Sequence, residues 1–129
     1  MYMRTELVDG LWTLFYDGSE LFNQELHTER FPIERRSHFA QQYWKERELW
    51  QQIIVLDGVS IIPRQTFHGC KNIKRVILPN TVRRIEGWAF SKCILLDDVK
   101  WSMNLEFIGL NAFKCCALKN GFIPSQLLM

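Results

Sequence analysis

Cys70, Cys93, Cys115 and Cys116, together with His27, His38 and His68, are the side chains of this sequence that could ligate a metal or attack an electrophile. A zinc site needs closely spaced Cys/His pairs that converge on one tetrahedron. The sequence has no Cys-x-x-Cys pair, and its histidines are scattered, so neither a metal nor any other cofactor is expected. Acyl-transfer chemistry needs a nucleophile, a base and a group that orients the base. Ser91, Ser102 and Ser125 have no His and Asp in matching positions, and no glycine-rich phosphate loop occurs. Asp97 and Asp98 are neighbours that a strand would point to opposite faces, so they cannot work as a facing acid/base pair. These absences predict a protein without catalytic residues.

The cysteines carry a different message. Cys70, Cys93 and Cys116 are separated by equal steps of 23 residues, and Phe67, Phe90 and Phe113 keep the same step. So do Ile62, Ile85 and Ile108, the column Val59, Val82 and Leu105, and the small residues Thr66, Ala89 and Ala112. Further back, Trp50, Ile53 and Val55 align with Ile73, Val76 and Leu78 and then with Leu96, Val99 and Trp101. A fixed apolar period of this length marks stacked coils, each too small to bury its own core and therefore stabilised by its neighbours. The array starts near Trp50. Counted from Cys115, Leu118, Ile123 and Pro124 match Ile73, Leu78 and Pro79, which predicts one residue lost between Phe113 and that cysteine. In such a stack the cysteines are expected to be small buried hydrophobes. Strand spacing alone leaves a disulfide between neighbouring coils open.

Composition sets the outer bounds. With 129 residues, of which 47% are hydrophobic, the chain has enough apolar material for one folded domain. A formal charge of +2 names neither nucleic acid nor an anionic membrane as partner. No apolar run approaches the length of a membrane span, and the first residues, MYMRTELVDG, lack the apolar stretch of a secretory signal, so a cytoplasmic location is expected.

The unit IKRVILPNTVRRIEGWAFSKC resembles the BspA-like leucine-rich repeats, whose pattern is matched by Ile73, Val76, Leu78, Pro79, Val82, Ile85, Ala89, Phe90 and Cys93. Trp101, Ser102 and Gly121 depart from it. The segments TLFYDGSELF and ERELWQQIIVLDGVSIIP are in addition similar to uncharacterised leucine-rich-repeat proteins of diatoms. The resemblance implies an α/β repeat fold. It would be a short right-handed solenoid of about three and a half coils, each with one parallel strand on the concave side, near residues 75–78 and 98–101, and a helical turn on the convex side at the Ala-Phe pair.

Residues 1–49 lack the period and are expected to form an N-terminal capping segment, with the repeats occupying 50–129 and the last repeat incomplete. Asp17-Gly18 between two apolar runs predicts a two-residue hairpin turn, because both positions tolerate positive φ. A helix is expected over residues 37–47. Trp12, Phe15, Tyr16, Phe31, Tyr43 and Trp44 would pack this cap on the first coil or, alternatively, form a binding patch.

Stacked strands turn their outward residues into one continuous surface. The register assigns Gln52, Arg75, Asp98 and Asn120 to one outward column and Ile54, Ile77, Lys100 and Phe122 to the next. Three apolar members in the second column point to a protein-interaction surface or scaffold. The alternative is nucleic-acid binding through Lys71, Lys74, Arg75, Arg83 and Arg84, although Asp97, Asp98 and Glu106 in the next coil would neutralise that cluster. The half-length last coil, ending in Leu127, Leu128 and Met129, predicts self-association or fraying at the C-terminal edge, unless further coils follow in a longer protein.

Overall fold

The computed structural model describes residues 4–18 and 46–119. Alternating apolar residues at Ile53 and Val55, Val76 and Leu78 put one face of each segment into a core, and the backbone between them pairs with the next coil. The result is a five-stranded sheet in the order β1 (Thr5–Val8), β2 (Leu11–Tyr16), β3 (Gln52–Val55), β5 (Arg75–Ile77), β7 (Asp98–Lys100). Only β1 and β2 are antiparallel; β2, β3, β5 and β7 run parallel. Ile53 pairs with Val76 and Val76 with Val99, so the register equals the period read from the sequence.

Each coil contributes a second strand, which the expectation of one strand per coil missed. These are β4 (Ile61–Ile62), β6 (Arg84–Ile85) and β8 (Phe107–Ile108), paired in parallel through Ile62, Ile85 and Ile108. The strands are two residues long, too short for any periodicity to show. Between the sheets lies the predicted core. Trp50, Ile73 and Leu96 are buried, as are Phe67 and Phe90, with Trp101, Ile108, Phe113 and Cys116 packed against them from the last coil. Phe67 stacks on Phe90 at 5.4 Å and Phe90 on Phe113 at 5.2 Å between ring centres.

The expected helical turn at the Ala-Phe pair is not formed, and among residues 50–119 no residue is helical. Backbone donors explain why. The amides of Gln65, Phe67 and Gly69 donate across to Gly87, Ala89 and Ser91 of the next coil, and those of Trp88, Phe90 and Lys92 reach Leu110, Ala112 and Lys114. The alternate amides close local turns, Thr66 to Pro63 O, His68 to Gln65 O and Cys70 to Phe67 O. An α-helix would spend all of them within its own turn. Left-handed residues recur every fourth position and interrupt any helical run: Gln65 (φ 62°), Trp88 (62°) and Asn111 (56°), then Gly69 (76°), Lys92 (59°) and Cys115 (64°).

The hairpin is also displaced. Its turn is Asp9-Gly10, with φ of 52° and 80°, which joins β1 to β2. A hairpin through Asp17-Gly18 has no free edge to use, because β2 already pairs with β1 on one side and β3 on the other. The apolar run after Gly18 lies outside the described residues. So does the helix expected over 37–47, apart from Glu46, which is helical, and Arg47, which enters a turn closed by the Leu49 amide on Glu46 O at 2.8 Å. The residue missing from the last coil falls later than expected. Cys116, not Cys115, donates its thiol to Phe90 O at 3.1 Å, as Cys93 does to Phe67 O at 3.2 Å. Leu118 nevertheless packs on the core, so the loss lies after Cys116.

Candidate interaction surface

Parallel pairing in register sets the outward residues of the five-stranded sheet in rows. One row runs Thr13, Gln52, Arg75, Asp98, and the next runs Phe15, Ile54, Ile77, Lys100. The hairpin strand β2 thus lengthens both rows by one residue that the repeat period could not supply, since β2 stands outside the 23-residue step. Exposure rises along the first row. Thr13 and Gln52 are buried, Arg75 is half-buried and Asp98 is exposed. Gln52 was expected to face outward as a contact residue; at 1% exposure it is withdrawn, its amide donating to Thr13 Oγ1 at 3.0 Å. Arg75 Nε stands 3.2 Å from Asp98 Oδ2, close enough for an ion pair yet misaligned for a hydrogen bond. In the second row Ile54 and Ile77 are half-exposed and Lys100 is exposed. Asn120 and Phe122 lie outside the described residues.

Residues 38–129 match the family model described as BspA type leucine rich repeat region (6 copies). The chain belongs to the BspA-type leucine-rich repeat family. Among solved structures it is similar to a leucine-rich repeat protein from Eubacterium ventriosum, with a TM-score of 0.56 and 16% identity over 86% of this chain. The chain spans 32% of that protein's length. No curated protein is similar to it. Leucine-rich repeats of this kind generally mediate protein–protein interaction, and no enzymatic family is indicated.

In this BspA-type repeat the four cysteines are free thiols, Cys70 and Cys93 buried and Cys115 exposed. Burial pushes the Cys93 thiol well above its ordinary range, and the same cause raises Cys116 to about 11. Both are therefore poor nucleophiles at neutral pH. Among the described residues no cluster of His, Cys, Asp and Glu could hold a metal ion. No helix among them is long and apolar enough to cross a membrane.

Sequence reasoning missed one pair. His68 and Ser91 occupy the same position in consecutive coils, and His68 Nδ1 hydrogen-bonds Ser91 Oγ. The signal was present in the 23-residue step itself. Ser91 is fully buried, so its hydroxyl has no access to a substrate. Burial, with Lys92 and Arg47 nearby, holds the His68 imidazole below its ordinary value. The pair reads as a part-buried link between coils.

The basic cluster is dispersed as well as paired. Lys71 meets Glu48 at 3.5 Å, Arg83 meets Glu106 at 2.8 Å and Arg84 meets Glu86 at 3.0 Å, while Arg75 is held by Asp98. Arg75 sits on the five-stranded sheet, whereas Arg84 belongs to β6 of the other one. Such exposed pairs add little stability, but they leave few free charges to gather on one phosphate backbone.

Proposed function

We propose that the outward strand face, centred on Ile54 and Ile77, binds a partner protein, with Arg75 and Asp98 tuning which partner fits. The observation that carries this reading is the row Phe15, Ile54, Ile77, Lys100, set in register across four parallel strands. Rigid neighbours hold these side chains at strand spacing, so a partner meets a preformed apolar lane and little ordering entropy opposes docking. Lys100 and the Arg75–Asp98 pair at one end supply polar discrimination. The same proposal makes the chain a non-catalytic module or scaffold of the cytoplasm, with no membrane contact. It also carries the kinship with diatom proteins, supported by the wording of residues 13–22 and 46–63. Self-association through the C-terminal edge rests on Leu118 and the residues that follow it.

Nucleic-acid binding is the weaker reading, because four of its five cations already face carboxylates. A pull-down comparing the wild type with Ile77→Asp, both checked for equal melting temperature, tests the proposal. The expected result is a discrete set of proteins lost in the variant. Retention of the same set by Ile77→Asp would remove the strand face from consideration, and capture of nuclease-sensitive material would favour the basic cluster.

A further inference from the structure

A second surface lies on the outer side of the three-stranded sheet, away from the strand face. The repeat places Arg64, Gly87 and Leu110 in one column and Pro63, Glu86 and Gly109 in the column beside it. Stacked coils normally raise continuous ridges of side chains, but here the middle coil has a glycine in one column and the last coil a glycine in the other. The missing side chains open a cleft of about 350 Å³ lined by Arg64, Glu86, Trp88, Phe107 and Leu110 over the two glycines.

The glycines keep that floor bare by necessity. A Cβ on Gly109 would overlap Gly87 N and stand 2.8 Å from Glu86 C, while one on Gly87 would come within 3.2 Å of Leu110 O. Trp88 is held in the left-handed region at φ 62°, a conformation costly for a bulky residue. Trp88 lines the cleft, with Lys114 Nζ 5.6 Å from the centre of its ring. Leu110 is 76% exposed and Phe107 38%, so the walls are apolar surface in contact with water.

Charge at the cleft is uneven. Glu86 is engaged by Arg84, whose guanidinium also lies 4.2 Å from the centre of the Phe107 ring. Arg64 has no ion-pair partner among the described residues and puts a positive charge on the lip, and Lys114, also outside any ion pair there, adds a second beside Trp88. Arg64 and Leu110 are two coils apart, roughly 10 Å at strand spacing. One side chain and the carboxylate on its own α-carbon fit that gap.

We infer that this cleft captures the C-terminal end of a partner's peptide chain, with an aromatic or long aliphatic last side chain between Trp88, Phe107 and Leu110 and the terminal carboxylate on Arg64. The glycine floor sets the depth, and the guanidinium's fork matches the carboxylate. The site is independent of the strand face.

The test is a titration of isotope-labelled protein with acetyl-Gly-Gly-Phe bearing a free carboxylate, read from the Gly87 and Gly109 amides and the Trp88 indole. The C-terminal amide of the same peptide is the control. Saturable shifts are expected with a dissociation constant on the order of 1 mM or tighter, with the amide about tenfold weaker. Arg64→Gln should reduce the acid to the level of the amide, and Leu110→Ser should weaken both peptides alike. Both substitutions are at exposed positions, and an unchanged melting temperature is the check that each variant keeps the fold. Ile77→Asp should change nothing here, which separates this site from the strand face. Absence of saturable shifts, equal binding of acid and amide, or undiminished binding by Arg64→Gln would each overturn the assignment.

Discussion

The strand side and the turn side of each coil are joined to the next coil at the same step, yet by different means. On the strand side, extended residues pair Ile53 to Val76 to Val99, and none of the residues with positive φ lies there. On the turn side every second amide crosses to the next coil while its neighbours close local turns, and left-handed residues recur every fourth position. The turn side also carries a stacked column of core rings, Phe67, Phe90 and Phe113, continued at one end by Tyr16 edge-on at 5.2 Å. The difference teaches where each constraint lies. Turn-side residues serve packing and a demanding backbone, whereas strand-side outward residues are unstrained and free to specialise for contact.

The largest test of this contrast compares deletions on the two sides. Phe90→Ala removes a fully buried ring stacked on both faces and should cost about 3–5 kcal/mol by denaturant unfolding, against about 0.5–1.5 for Ile53→Val on the strand side. Trp88→Ala, on the outer surface of the same turn, should fall well below Phe90→Ala. Equal losses for the two would mean that the turn side does not pack as described. Next in size, Gly109→Ala forces backbone apart at Gly87 and should destabilise by about 1–3 kcal/mol, a cost of overpacking.

Lys92→Gly runs in the opposite direction. Gly69 already fills the equivalent left-handed position one coil earlier, so relieving Lys92 of φ 59° should stabilise the fold by up to about 1 kcal/mol. A loss of stability would show that the turn side carries no backbone strain. The smallest effect is on pH dependence. With His68 held below 6.5, the folded state binds fewer protons than the unfolded one in the window beneath that value. Stability is then complete above about pH 6.5 and declines as the pH falls through the window. His68→Gln should flatten the decline in melting temperature between neutral pH and pH 5; an unchanged slope would place the imidazole in water.

How much of this was legible follows from what a periodic sequence encodes. The apolar columns were readable because each inward position repeats one environment: Ile62, Ile85 and Ile108 occupy one site three times over, as do Cys70, Cys93 and Cys116. The strands expected at 75–78 and 98–101 appear as Arg75–Ile77 and Asp98–Lys100 for the same reason. Left-handed conformations at Gln65, Trp88, Lys92 and Cys115 were not readable, since none of these residue types favours positive φ by itself and the stack imposes it. Gln52 carried the signature of an outward residue but lost its exposure beside Thr13, a neighbour thirty-nine positions away in sequence.

The sequence by itself determined the period, the inward columns and the family, because burial repeats at every step and selects the same side chains each time. Which Asp-Gly pair turns the chain was decided only in three dimensions. Asp9-Gly10 and Asp17-Gly18 are the same dipeptide, and both have apolar runs beside them. β2 has two edges, and once β1 and β3 hold them no further strand can pair there. The same holds for the turn side, where the choice between helix and turns depended on whether amides find acceptors in their own coil or in the next one. That is a property of the stack, and no single repeat contains it.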